Sequence, residues 1–281
     1  METTQGNPLS RYFRQPAIYL KLPSLGQWWA AGSLELPENQ ELAIYPMTAK
    51  DEIMLKTPDA LMSGQSMVNV IQSCVPGIKN AWSMPSVDLD AVLISIRLAT
   101  YGSNMDFETT CTHCGHRNTH GLDLSGPLGQ IRCPDYGPSV HYKDLAIKLR
   151  PQTYKMITEA NMITFEEQRI NQILIDKDIP ELEKSQRLTA SLEKLVNLGI
   201  KACSDSTEYI DIGSQRVTER QHIDDFYANA ESEAIRLLQE RVEELSKQAK
   251  IPEYDLQCEE CTKEYRAELN FDYSSFFDRG F

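Results

Sequence analysis

Two cysteine pairs constrain this chain more than any other feature. CTHC occupies 111–114 and CEEC occupies 258–261, with residues 115–257 between them. If both pairs hold one ion, the chain must return on itself and the ends of that long segment must meet. Superposing Cys111 on Cys258 and Cys114 on Cys261 also places Phe107 on Tyr254, Leu122 on Leu269 and Leu124 on Phe271. Each copy therefore reads as an aromatic residue, a C-x-x-C turn and then two apolar positions separated by one. That is the pattern of a hairpin with two thiols at its tip and a strand returning from it. Two such hairpins are the halves of a zinc ribbon, because zinc takes four soft ligands in a tetrahedron.

The separation in sequence is no obstacle. Closing so long a loop costs roughly 4–5 kcal/mol, whereas structural zinc in small fingers returns on the order of 10–16 kcal/mol. Two independent disulfides, plain buried thiols, a redox pair or an iron–sulfur cluster would use the same residues. Glu259 and Glu260 beside the second pair discourage a reactive thiolate. The favoured reading is one structural Zn²⁺ shared by Cys111, Cys114, Cys258 and Cys261. Four thiolates close the coordination sphere, which leaves no position for a reacting water. His113, His116 and His120 then read as solvated residues of the first turn, Cys74 and Cys203 as core, and Cys133 stays unassigned.

The formal charge of −13 argues against nucleic acid or anionic lipid as a partner, since both need a positive face. The densest basic stretch, RYFR at 11–14, is short. The first residues carry neither a basic start nor an apolar run, so no signal peptide is expected. The longest uncharged stretch, 60–78, contains Ser, Gln, Asn and Pro and would span a membrane poorly. No phosphate-binding glycine loop, nucleophile elbow or H-E-x-x-H stands in the chain, and no small-molecule substrate is expected. The paired carboxylates Glu166–Glu167 and Asp224–Asp225 read as solvated helix faces.

The expected fold class is α+β: a strand-rich N-terminal part with a buried helix, a split zinc ribbon and an inserted, mainly helical region. Residues 1–16 read as a flexible arm and 17–150 as an α+β domain with the first knuckle. Residues 151–251 read as the helical insertion, and 252–281 as the second knuckle with an aromatic tail. Strands are expected at 17–23, 42–48, 52–57 and 143–151. Helices are expected from Thr57, at 66–75, at 87–102 with Gly102 as a left-handed stop, at 153–176 with a break near Thr164, at 181–200, and from Thr218 to about 251. The element at 87–102 is apolar on most sides, as a central core helix must be.

The ordered runs KLPSLG (21–26), YPMTAKDEIMLKTPDALMSG (45–64) and DLDAVLISIRLATYGSNMDFETTCTHCG (88–115) carry a resemblance. Over residues 17–125 the chain resembles the baseplate hub assembly family of contractile-tailed, T-even-type bacteriophages. The resemblance implies a non-enzymatic structural or assembly component of the virion's tail baseplate, put together in the host cytoplasm. It implies as partners other baseplate and tail proteins, with copies of the chain itself around the tail axis. A transient assembly chaperone and a nucleic-acid-binding zinc-ribbon regulator are the rival readings. Trp28, Trp29, Phe276, Phe277 and Phe281 are the candidate partner contacts, because aromatic residues are enriched in interface anchors.

Overall fold

The structure is a computed structural model and describes residues 7, 9–56, 63–168, 180–249, 251, 253–267 and 276–277. It is a mixed α+β fold of several small antiparallel sheets and, among the described residues, eight helices. Phe281, Leu269, Phe271 and the helix start expected at Thr57 lie outside the described residues.

The first core is built around α3 (Ser86–Tyr101), which buries Val92, Leu93, Ile94 and Ile96 together with polar Asp88, Ser95 and Arg97. Around it pack the hairpin of β1 (Ile18–Lys21) and β2 (Glu41–Ile44) and the helix α2 (Gln65–Cys74). Gly102 ends α3 at φ +86°, a backbone region that favours glycine, but not in the left-handed stop expected. Its ψ of −174° instead sends the chain out extended into β3 (Asn104–Thr110).

Asp88 ties this core to the LPSLG turn. Its carboxylate accepts the Ser24 N–H at 2.8 Å, the Ser24 hydroxyl at 2.5 Å and the Trp29 Nε1–H at 2.9 Å. Burial pushes the carboxyl up, while the three donors pull it down.

A second core lies beyond β3, β4 (Arg117–Asp123) and the short α4 (Ser125–Gln130). Its frame is a four-stranded sheet in the order β5 (Val140–Tyr142), β6 (Leu145–Leu149), β7 (Thr207–Ile212), β8 (Gln215–Val217). After α5 (Tyr154–Gln168), three helices cover that sheet: α6 (Glu181–Asp205), α7 (Arg220–Asn229) and α8 (Ser232–Ala249). Ile147, Leu149 and Ile210 from the sheet meet Cys203, Ile223, Tyr227, Leu238 and Leu245 from the helices. The hairpin of β9 (Tyr254–Gln257) and β10 (Glu264–Ala267) follows.

The two cores meet where Ser86 N–H donates to Gln152 O and Tyr154 N–H to Met84 O, both at 2.8 Å. The rings of Trp82 and Tyr154 stack there at 5.6 Å.

Three expectations need correction and one an addition. The segment 52–57 is not a strand: α1 (Ala49–Leu55) begins at a capping box in which Thr48 and Asp51 each take the other's backbone N–H. The region read as mainly helical is so among the described residues, and it also holds β7 and β8, turning at Gly213 (φ +57°), because TEYIDI pairs with β6 on one side and turns tightly on the other. Helix α5 runs unbroken through Thr164, whose hydroxyl donates to Ala160 O within the helix. The expected helix from Thr218 is two helices, α7 and α8. Ala230 between them is extended, and the Glu231 carboxylate is held by Tyr142 Oη and Lys143 Nζ at 2.9 Å each.

The expected arm is fixed at its end. Arg14 donates to Pro46 O and Ser73 O, each at 2.7 Å, and pairs with buried Asp51 at 3.3 Å.

Asp88→Ala would orphan three donors at the base of α3. Each unsatisfied buried group costs about 1–3 kcal/mol, so we expect a loss of about 3 kcal/mol or more in urea unfolding. An unchanged midpoint would show that the LPSLG turn is held by packing alone.

Candidate metal centre

Each cysteine pair sits at the tip of an antiparallel hairpin, β3–β4 for the first and β9–β10 for the second. The two tips are built alike. Cys111 N–H donates to His116 O at 2.9 Å, and Cys258 N–H donates to Lys263 O at 3.0 Å. Gly115 N–H returns to Cys111 O and Thr262 N–H to Cys258 O, at 2.9 and 3.0 Å. The residue after each pair has positive φ: +74° at Gly115 and +57° at Thr262. This turn curls the backbone around the sulfurs; the His113 N–H, for example, lies 3.4 Å from Cys111 Sγ.

The four sulfurs converge. Cys111 Sγ lies 3.7 Å from Cys261 Sγ and Cys114 Sγ lies 3.6 Å from Cys258 Sγ. All four ligand atoms fall within 4.8 Å of one another. Metal–sulfur bonds of about 2.3 Å in a regular tetrahedron give sulfur–sulfur edges of about 3.8 Å, so the cluster has the size to hold a metal ion. A disulfide needs about 2.05 Å, and the four cysteines are free. Both of these sulfur–sulfur contacts run between the hairpins, so the sulfurs of the two pairs meet one another.

The electrostatics point the same way. Backbone N–H groups of Cys261 and Glu260 pull the Cys258 thiol down to about 6. At Cys114 a backbone N–H from His116 lowers the thiol, but desolvation and the sulfurs of Cys261, Cys258 and Cys111 outweigh it and push the group up to about 12. Four sulfurs this close cannot all ionise without a cation among them.

Several contacts hold the hairpins together around the sulfurs. Buried Asn118 accepts the Glu259 N–H at 2.9 Å and donates to His116 O at 3.2 Å. The Tyr265 hydroxyl meets Thr109 Oγ1 at 2.5 Å and His120 Nε2 at 2.9 Å. His113 Nε2 lies 3.0 Å from Glu264 O. His113, though exposed as expected, and half-buried His120 therefore also make contacts between the hairpins. Asn118, Thr109 and Tyr265 carried no sequence signal, since nothing local couples position 118 to 259 or 109 to 265.

The four aromatic candidates among the described residues, Trp28, Trp29, Phe276 and Phe277, are packed on this chain. Trp29 donates to Asp88, and the Trp28 ring lies 5.1 Å from that of Tyr136. Phe276 and Phe277 are buried in the first core. Arg97 donates to Phe276 O and lies 5.3 Å from its ring. Glu167 is buried and paired with Lys194 at 2.8 Å, which lowers its carboxyl, and Asp224 accepts from Ser204. No helix among the described residues is long and apolar enough to cross a membrane.

The matched turns predict unequal responses. A Cβ on Gly115 would meet nothing within 4 Å, so Gly115→Ala tests backbone strain alone. Left-handed backbone costs about 1–2 kcal/mol for an L-residue, and the stiffer unfolded chain returns about 0.4–1 kcal/mol. Thermal unfolding should show a net loss of about 1 kcal/mol. Thr262→Gly reverses both effects and should be neutral to mildly stabilising. A destabilised Thr262→Gly would contradict the matched-turn description.

One family model matches residues 30–278, that of the T4 bacteriophage base plate protein. No curated protein matches the chain. No solved structure matches it either.

Proposed function

The chain belongs to the T4 bacteriophage base plate protein family, and we propose that it is a non-enzymatic structural or assembly component of the hub region of a contractile-tail baseplate, stapled by one structural zinc ion. Membership implies a place in the virion tail and contacts with other tail proteins. The observation that supports the stapling is the convergence of four thiols, within 4.8 Å of one another, from hairpins so far apart in sequence.

Cys111, Cys114, Cys258 and Cys261 would hold the ion. The ion would supply charge neutralisation and a fixed crosslink. Two C-x-x-C turns with nothing but sulfur facing inward suit zinc rather than a harder cation. With four protein ligands the centre offers no open position, so its role is architectural. It fixes the start and end of residues 115–257 at one point, so that the sheet and helices between them form one presented unit. Assembly in the host cytoplasm alongside other baseplate proteins follows from this reading.

A nucleic-acid role is disfavoured by Glu259, Glu260 and Glu264 around the second turn. A chaperone that leaves the finished particle has no observation in its favour and is one outcome of the test.

Purified protein should carry about one zinc per chain by elemental analysis, and Cys258→Ser/Cys261→Ser should lose it together with much of its thermal stability. Acid should release the metal, because the ligands bind as thiolates and protons compete for them. Metal-free wild type at neutral pH would remove the staple. Antibody detection in purified particles should find the chain retained; its absence there would make it the transient chaperone instead.

A further inference from the structure

Two surfaces of this chain are unlike the rest, and each has what the other lacks. The first is the knob at residues 9–13. Leu9, Tyr12 and Phe13 are 61%, 71% and 57% exposed, around a 3₁₀ turn at Ser10–Tyr12. Arg11 lies over the Tyr12 ring at 4.8 Å and donates to its hydroxyl at 2.8 Å, so guanidinium and ring form one unit. Arg14 anchors the base of the turn through Pro46 O and Ser73 O. The stretch NPLSRYFRQP (7–16) holds two arginines and no acid in a chain of formal charge −13.

The second surface is a groove of about 280 Å³ between α5 and α6. Its apolar floor includes Met156 and Ile163, and its lining carries Glu159, Glu166 and Asp205 against a single cation, Lys201. Lys201 is already divided between Glu159 at 3.7 Å and Asp205 at 3.8 Å, and Lys155 outside the lining also pairs with Glu159 at 3.7 Å, so Glu166 carries the negative charge that no ion pair among the described residues takes up. The groove is therefore apolar within and negative at its edge, with room for an aromatic ring.

We infer that the knob of one copy docks in the α5–α6 groove of a second copy. The warrant is complementarity of charge, together with exposed aromatic side chains on one surface and an apolar groove with room for a ring on the other. An exposed aromatic–arginine unit is the composition of an interface anchor, and its pre-formed geometry lowers the ordering cost of binding. The two surfaces are different patches, so the contact is head-to-tail and propagates; it closes into a ring where the rotation allows. An isologous contact would instead stop at a dimer. Arg11 faces the Glu159 and Glu166 edge, and apolar contacts by Tyr12 and Phe13 supply most of the affinity. The inference deepens the baseplate reading by naming one partner as the chain itself.

The test uses the full-length, metal-loaded protein in sedimentation velocity, with two classes of variant. Tyr12→Ala/Phe13→Ala removes the knob and leaves the groove. Ala160→Arg fills the groove with bulk and positive charge, and Glu166→Lys changes only its edge. Wild type should associate with increasing concentration, more weakly in high salt. The knob variant and Ala160→Arg should each weaken association at least about tenfold, the scale of one hot-spot residue, and Glu166→Lys should act in the same direction. Mixing the knob variant with Ala160→Arg should restore a one-to-one dimer and nothing larger, because one intact knob and one intact groove remain. A monomeric wild type, association that survives either class of variant, or a mixture that stays monomeric would each overturn the inference. None of these outcomes touches the baseplate reading, which is judged by metal content and presence in particles.

Discussion

Four sulfurs within 4.8 Å of one another join residues 111–114 to residues 258–261, so all of the chain between must begin and end at a single point. A segment that long can meet the condition only if it folds into a body with adjacent ends. The second core provides such a body, with strands from both halves of the segment in one sheet: β6 from its beginning pairs with β7 from its middle. The closure extends past the cysteines as well. Phe276 and Phe277 lie in the first core against Arg97 of α3, so the region after the second hairpin reaches the element that leads into the first.

Protein contacts alone would hold the two hairpins weakly. The hydrogen bonds through Asn118, His113 and Tyr265 are few, and a typical one contributes only about 1 kcal/mol net. The cluster buries Cys111, Cys258 and Tyr265, far less apolar surface than either larger core. A small core of that kind normally depends on a metal or a covalent link. The role of Asn118 and the Tyr265–Thr109–His120 contacts is geometric: they align the tips so that four thiols already face one another. Binding a metal then requires little further ordering, but it does require the loss of protons that the crowded sulfurs share.

Much of this was legible in the sequence, and the reasons differ by element. The knuckles could be read because metal–thiolate chemistry fixes both residue type and spacing, and aromatic and apolar positions recur at the same offsets around both pairs. Helix α3 could be read because apolar residues on most sides admit only a central position. Helix α1 was misread as a strand because Ile53, Met54 and Leu55 form a short apolar run, while the signal that decides it, Thr48 and Asp51, lies just before. The hairpin of β7 and β8 was passed over although Gly213–Ser214 between apolar and β-branched residues marks a two-residue turn. The break at Ala230 was invisible, since helical spacing continues across it and the contacts beside it, from Tyr142 and Lys143 to Glu231, come from distant sequence. Trp28, Trp29, Phe276 and Phe277 show the limit of composition: aromatic residues suit an interface and a core equally, and only the fold says which neighbour they have.

The division between closed and open surfaces gives the chain its character. Its four paired-turn sulfurs converge on one point, its buried carboxylate Asp88 is satisfied by three donors, and its Arg97 lies against the Tyr101 and Phe276 rings. Each of these holds the chain in one shape. What is left exposed and apolar is concentrated elsewhere, on Leu9, Tyr12 and Phe13 and along α5 and α6, where Met162, Phe165, Leu192 and Val196 face solvent. A folded chain that keeps a pre-formed knob and an unfilled groove in water forgoes apolar burial it could otherwise have had. A chain of net charge −13 also repels its own copies everywhere except where a basic patch meets an acidic one. Rigid interior and selective exterior are two sides of one requirement: a component that must fit between neighbours needs its own shape settled before it meets them.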